Sequence, residues 1–385
     1  MYERVLSARI RAHTRSVLLL GPRQVGKSTL LHALEPDLTI NLASPSTFRE
    51  YVGQPERFER ELEAASPRIR CVMIDEVQRV PPLLDAVQSV LDAHPRRYRF
   101  LLSGSSARKL RRGQANLLPG RVVIEHLHPL LARELGGDFR LERALAHGTL
   151  PGIYAEQDPH LREQVLRSYV DAYLREEVQA EALVRDIGGY ARLLDLVAAS
   201  SGRILNLHAL SREAAIGYET ARRYLEVLED TLVLFRIPAW SGSDRASLVV
   251  HPKLLLFDIG VRNAILRRPL DRPLDDERGL LLDHLVGLEL ARRTSGLWPG
   301  ARLYHFRTRH GAEVDYVLEA GREAWGIEVK ASRTVDSRDL RGFHALADRV
   351  RRLKRRIVVF LGSRRQKLGE IEALPLEIFL DELPA

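Results

Sequence analysis

The chain has 385 residues, 45% hydrophobic and 29% charged, which predicts a globular, soluble protein of two or three domains. The formal net charge of +8 favours polyanionic partners such as nucleic acid, nucleotide or an acidic membrane surface. Arginine bias carries most of that charge: of 59 basic residues only Lys27, Lys109, Lys253, Lys330, Lys354 and Lys367 are lysines, so each lysine is individually informative.

The first apolar run, 16–20, follows a charged start and is too short for a secretory core or a membrane span. A cytoplasmic protein that does not engage a membrane is expected. The run reads as a strand and leads into Gly21, Pro22, Arg23, Gln24, Val25, Gly26, Lys27, Ser28 and Thr29. A helix with Leu30, Leu31 and Leu34 on one side follows. This is GxxxxGK[ST] in its strand–loop–helix setting, a phosphate-binding loop for ATP. Its glycines let backbone N–H groups turn inward, and the helix start adds partial positive charge. Lys27 is predicted to reach the β- and γ-phosphates, and Ser28 to bind Mg²⁺.

A second apolar strand ends in two acids, CVMIDEV (71–77). Asp75 is the expected Mg²⁺ partner and Glu76 the base that orients the attacking water; with Lys27 they form the predicted catalytic set. Cys71 is the chain's one cysteine, which excludes an intrachain disulfide and fits a reducing compartment. A third strand, YRFLLSGSSARKL, ends in Ser103, Ser105 and Ser106, and Ser103 is the candidate γ-phosphate sensor. Arg121 precedes one further strand, near the place where oligomeric ATPases present an arginine to a neighbour's nucleotide; a homo-oligomer is expected. Alternating strands and helices predict an α/β, doubly wound parallel sheet with ATP at the carboxyl ends of its strands.

From Gly148 the pattern is helical. A helix over 207–214, a turn at Gly217, a helix over 219–229 and strands at 233–237 and 253–257 match a winged helix-turn-helix. Tyr218, Thr220, Arg222 and Arg223 are the candidate DNA contacts near the start of the second helix. Glu219, Glu226, Glu229 and Asp230 speak against a uniformly basic face, and a plain helical lid is the competing reading.

The last third reads helix, strand, strand, strand, helix, strand, the αβββαβ order of a restriction-endonuclease-like core. Glu289 falls on the first helix, Asp315 on the second strand, and Glu328 and Lys330 on the third, in GIEVKAS. Residues two apart on a strand share a face. Asp315 and Glu328 could hold Mg²⁺, Lys330 could orient a metal-bound water and Glu289 could support them, giving a possible nuclease site. A mixed sheet with solvated charges, or a fold whose site does not cut, fits the same residues. Predicted domains are therefore 1–147, 148–270 and 271–385.

The stretches GPRQVGKST, CVMIDEVQRVP, LLSGSSARKL, LLPGR with HLHPL, GTLPG, YLREEV, GAEVDYVLE and GIEVKAS span nearly the whole chain. Together they resemble a large prokaryotic family of AAA-type ATPases, in its signal-transducing branch. In that family the ATPase domain precedes a domain of unknown function with a restriction-endonuclease-like core. Val314 departs from the pattern, standing where many members of that fold have proline. The resemblance implies Mg²⁺-dependent ATP hydrolysis and a helical or winged-helix middle. By analogy with resolvases it makes branched DNA, such as a four-way junction, a candidate target. Three functions follow as expectations: an ATP-driven DNA-acting protein, an ATP-gated nuclease, or a non-cutting switch that binds a protein or nucleic acid.

Overall fold

A computed structural model describes residues 2–105, 118–178, 186–241, 248–270, 275–336 and 340–384; Ser106 and Lys109 lie outside them. The chain forms two compact units, one running to Leu130 with Asp230–Leu232, the other comprising Leu131–Glu229 and the chain from Val233 onward. Among the described residues no helix is long and apolar enough to cross a membrane.

In the first unit, α1 (Val5–Ala12) precedes β1 (Ser16–Leu20), and α2 (Lys27–His32) follows the glycine loop. Next come β2 (Leu38–Asn41), α3 (Pro45–Gly53), α4 (Arg57–Ala64), β3 (Cys71–Asp75), α5 (Leu83–Ala93), β4 (Arg99–Gly104) and β5 (Val122–His126). The sheet order is β2-β3-β4-β1-β5, and every neighbouring pair is parallel. All five residues of β1 are buried, as a central parallel strand covered on both faces requires. Parallel register brings the carboxyl ends of β1, β3 and β4 side by side, and the phosphate loop, Asp75 and Ser103 stand there.

The second unit begins with α6 (Ala132–Leu135), α7 (Leu141–His147), α8 (Pro151–Ala155), α9 (Pro159–Tyr169) and α10 (Ile187–Ser200). Then α11 (Leu207–Glu213) and α12 (Tyr218–Asp230) lead into the antiparallel pair β6 (Leu234–Ile237) and β7 (Lys253–Leu256), each within about a residue of its predicted span. After α13 (Ile259–Ile265) come α14 (Arg278–Arg292), β8 (Arg302–Arg307), β9 (Glu313–Ala320), β10 (Glu323–Lys330), α15 (Arg341–Ala347) and β11 (Leu353–Phe360). That is the anticipated αβββαβ order, extended by β12 (Gln366–Leu368), β13 (Ile371–Pro375) and α16 (Leu376–Glu382). β8, β9 and β10 form an antiparallel meander, whereas β10 and β11 are parallel and joined through α15.

The segments expected to be separate at 147/148 and 270/271 share one apolar cluster, which includes Leu145, Ile259, Leu285, Tyr316 and Val359. They are also stitched by polar contacts. Asn263 donates to the Leu145 and Ala146 carbonyls, 2.9 Å each, and Asp258 accepts from Thr149 N–H at 2.7 Å while capping α13 through Val261 N–H. Gly148 has a left-handed φ of +71°, and a Cβ there would lie 1.9 Å from the Asp258 carboxylate. The GTLPG motif thus has a packing reason: only glycine leaves room for that buried cap.

Candidate functional site

The phosphate loop is built on a close approach. A Cβ on Gly21 would lie 2.2 Å from the Leu127 carbonyl oxygen, so the loop can leave β1 only through glycine. Gln24 and Gly26 have positive φ, 62° and 90°, which curls the loop over the start of α2. Arg4, just before α1, braces the loop: its guanidinium donates to the Val25 carbonyl at 2.7 Å and to the His128 carbonyl at 2.5 Å. Sequence reasoning assigned Arg4 nothing, because it precedes the loop by more than a turn and no spacing rule links the two.

Lys27 is 5% exposed and donates to the Gly21 and Pro22 carbonyls, 2.9 Å each. Burial pushes its ammonium down to about 8, against the pull of Glu76 and Asp75. Ser28 Oγ donates to both Asp75 oxygens, at 2.9 and 2.8 Å. Ser103 Oγ also donates to Asp75, and accepts from Glu76 N–H at 3.0 Å. Glu76 sits at a left-handed φ of 60°, a conformation that costs a non-glycine residue about 1–2 kcal/mol. Its carboxylate accepts from Gln78 Nε2, which also reaches Ser105 Oγ at 3.1 Å. Gln78 and Ser105 are therefore additional members of the site; both lie inside the quoted motifs without having drawn a role.

A Mg²⁺ ion fits this arrangement. The Ser28 hydroxyl and the Asp75 carboxylate already face each other, and Mg²⁺ characteristically takes one or two protein oxygens and completes its shell with phosphate and water.

Arg121 stands elsewhere. Ser16 pairs with Val122 in parallel register, so Arg121 lies at the amino ends of the strands while the phosphate loop lies at their carboxyl ends. Its guanidinium forms a two-pronged pair with Asp92, at 2.7 and 2.8 Å. It does not belong to its own chain's nucleotide site.

In the second unit, Asp315, Glu328 and Lys330 line one cavity of about 620 Å³. Lys330 Nζ is 2.8 Å from Glu328, and Asp315 accepts from Val329 N–H at 2.8 Å. Burial, then the Asp315 charge, pushes Glu328 up to about 8 against the pull of Lys330. Glu289 is not there. It is fully buried, pairs with Arg293 one turn on and accepts from Ala132 N–H at 2.8 Å. The α14 acid that lines the cavity is Asp283, six positions earlier and about 240° around the helix. Lys253 of β7 meets it at 2.7 Å, approaches Asp315 at 3.9 Å and lies 4.2 Å from the Tyr316 ring centroid. Burial pushes Asp283 up to about 7, with Lys253 pulling down and Asp315 pushing up. Gly287 makes room for Tyr316, whose hydroxyl donates to the Asp283 carbonyl at 2.9 Å.

Two ammonium groups already stand against three carboxylates, and among the described residues no three metal-binding side chains converge on a common point. The cavity in this arrangement does not fit a resident Mg²⁺.

On α12, Tyr218 is exposed and stacks on His208 at 4.3 Å. Thr220 is half-buried, and Arg223 is exposed and packs 5.6 Å from the Tyr224 ring centroid. Arg222 is tied to Glu219 and Glu226 of its own helix, which leaves it less available to a phosphate than expected.

Residues 13–136 match a family model described as AAA domain, 138–272 a domain of unknown function (DUF8612), and 278–379 another (DUF4143). The uncharacterized protein Rv2008c of Mycobacterium tuberculosis is 28% identical over 373 residues, covering 94% of this chain and 80% of that one. The uncharacterized protein MJ1544 of Methanocaldococcus jannaschii is 23% identical over 270 residues, covering 64% and 58%. Among solved structures, a RuvB variant of Thermotoga maritima is 19% identical with a TM-score of 0.29, covering 60% of this chain and 85% of that one. A replication initiator DnaA bound to AMPPCP and single-stranded DNA is 12% identical with a TM-score of 0.26, covering 58% and 85%. These structural likenesses are too distant to speak for function. The complete phosphate loop at the carboxyl end of β1, Ser28 against Asp75 and the AAA match make the first unit an AAA-type P-loop ATPase domain.

Proposed function

We propose that this protein is a Mg²⁺-dependent ATP hydrolase that couples its nucleotide cycle to binding or remodelling of DNA. The observation that carries the ATPase is the continuous network from Ser28 through Asp75 and Ser103 to Glu76 and Gln78. Lys27 binds the terminal phosphates by exchanging its two carbonyl partners for phosphate oxygens. Ser28 and Asp75 would hold Mg²⁺, which would neutralise phosphate charge. Glu76 orients and deprotonates the attacking water, with Gln78 fixing its carboxylate. Ser103 bonds both Asp75 and the Glu76 backbone, so it can register a change at either. Glu76→Gln should retain ATP binding and lose on the order of 10²–10⁴ in turnover. Unchanged turnover in Lys27→Ala would sink the assignment.

DNA engagement is read from the second unit: α11, α12 and the β6–β7 pair have the element order of a winged helix-turn-helix, with Tyr218, Thr220 and Arg223 as its contacts. Binding assayed on single-stranded, duplex and four-way-junction DNA tests this, and ATP turnover indifferent to all three would favour a protein-binding switch. A homo-oligomer, testable by sedimentation, is the state in which a neighbour's arginine could complete the ATP site. The gathering of Asp315, Glu328 and Lys330 in one cavity favours a second reading, phosphodiester cleavage; Lys253 opposes it by occupying the place of a cation. A DNA nick made by the wild type and lost in Asp315→Ala would establish cleavage.

A further inference from the structure

The amino ends of the ATPase sheet carry a feature unrelated to the nucleotide. Four adjacent strands each begin with arginine: Arg70 directly precedes β3, Arg99 opens β4, Arg15 directly precedes β1 and Arg121 directly precedes β5. The parallel registers hold Arg15 level with both Arg99 and Arg121, and Arg70 one residue off. With strands 4.7–4.9 Å apart, the row spans roughly 14 Å. Arg96 and Arg97 add to it around a concavity of about 740 Å³, in which six of thirteen lining residues are arginine. Along the chain arginine is about one residue in seven, so genome bias does not account for this density.

The concavity has one carboxylate, Asp92, and both its oxygens are taken by Arg121. Arg15 and Arg99 donate to backbone carbonyls, and Arg97 lies over the Tyr98 ring. Among the described residues no guanidinium of Arg15, Arg70, Arg96, Arg97 or Arg99 pairs with a carboxylate, although Asp37 accepts from the Arg70 backbone N–H at 2.8 Å. Like charges on neighbouring strands repel, and such a row is tolerable when an external anion neutralises it. The guanidinium fork suits phosphate oxygens. A line of evenly spaced cations suits a polymer with evenly spaced charge, and a nucleic-acid strand carries one per about 3.4 Å. No exposed large hydrophobic side chain lines the concavity, which argues against a membrane surface.

We propose that this arginine row binds the sugar-phosphate backbone of nucleic acid, at the end of the ATPase sheet opposite the nucleotide. The inference deepens the DNA-acting reading and rests on it, but places a contact in the first unit rather than on α12.

The test uses the full chain, fluorescein-labelled single-stranded and duplex DNA, and anisotropy across about 50–200 mM salt. Arg70→Gln/Arg96→Gln removes two side chains that make no hydrogen bond or ion pair among the described residues, so folding, checked by melting, should persist. Loss of two phosphate contacts should weaken binding to every sequence alike and flatten the log–log salt slope by about 1.8 on duplex and about 1.4 on single strand. Arg223→Gln on α12 is the comparison. If wild type binds DNA, Arg223→Gln weakens it and the double variant does not, this proposal fails while the DNA-acting reading stands. If polyglutamate binds through the same arginines and DNA does not bind at all, both fail. Binding by single strand or duplex alone, lost in the double variant, upholds the row and names its form of nucleic acid.

Discussion

Lys253→Met is the sharpest probe of the second cavity. It removes the ammonium that faces Asp283 at 2.7 Å, where both side chains are almost wholly buried. Removing one partner of a buried pair costs about 3–5 kcal/mol, because the other charge is left uncompensated. Asp283 has an escape: it already stands at about 7 with Lys253 pulling it down, so without the lysine it rises further and holds its proton. Each unit it rises adds about 1.4 kcal/mol to the penalty once the pH exceeds the original value. The variant should therefore lose about 3 kcal/mol near pH 8, and about 1.4 kcal/mol less near pH 6. Urea unfolding followed by tryptophan fluorescence reads this selectively, since Trp240, Trp298 and Trp325 all lie in the second unit. Lys253→Met/Asp283→Asn should recover part of the loss. A penalty below about 1 kcal/mol near pH 8, or one that grows in acid, would refute the reasoning.

The same unit in the wild type should lose stability as pH rises from about 6.5 to 8. Asp283 and Glu328 are raised, to about 7 and about 8, so the folded state holds protons the unfolded chain has released, and that contribution disappears as each folded value is passed. Below about 6.5 buried His147 and His305, both lowered to about 4 by burial, act in the opposite sense and should flatten the profile, as unfolding midpoints against pH will show. Gly21→Ala should abolish ATP binding by displacing the loop from the Leu127 carbonyl, measurable by nucleotide fluorescence. Arg4→Ala should lower the melting point of the first unit and weaken ATP binding several-fold, through loss of two charge-assisted bonds worth about 1.5–3 kcal/mol each before compensation.

The ATP site was legible because its chemistry is local. Gly21 to Thr29 is one contiguous loop, and Asp75, Glu76 and Ser103 each end an apolar strand, so parallel strands alone bring them together. The second cavity was half legible. Asp315, Glu328 and Lys330 follow from alternation on two neighbouring strands. Asp283 and Glu289 are both acids on one largely buried helix, and a helix pattern does not say which face meets the sheet. Lys253 comes from a strand outside the αβββαβ set, so no spacing connects it to Asp283. Its rarity as a lysine was the available signal. Arg121 was expected beside a neighbour's nucleotide, and its nearness in sequence to the ATPase motifs does not say at which end of its own sheet it stands. The arginine row needed the sheet order, since its members are scattered over about a hundred residues and become neighbours only through β3-β4-β1-β5.

The stitching of Gly148 and Thr149 to Asp258, and of Asn263 to the end of α7, bears on how such a chain can be inherited. A recombination event at position 148 would strip the end of α7 of Asn263, and one at 148 or 271 would divide a shared core. An exchange beside Leu131 would leave the described core of the later unit whole. Lineages that swap ATPase halves should therefore show their joints near Leu131, with the two domains of unknown function travelling as a single heritable block.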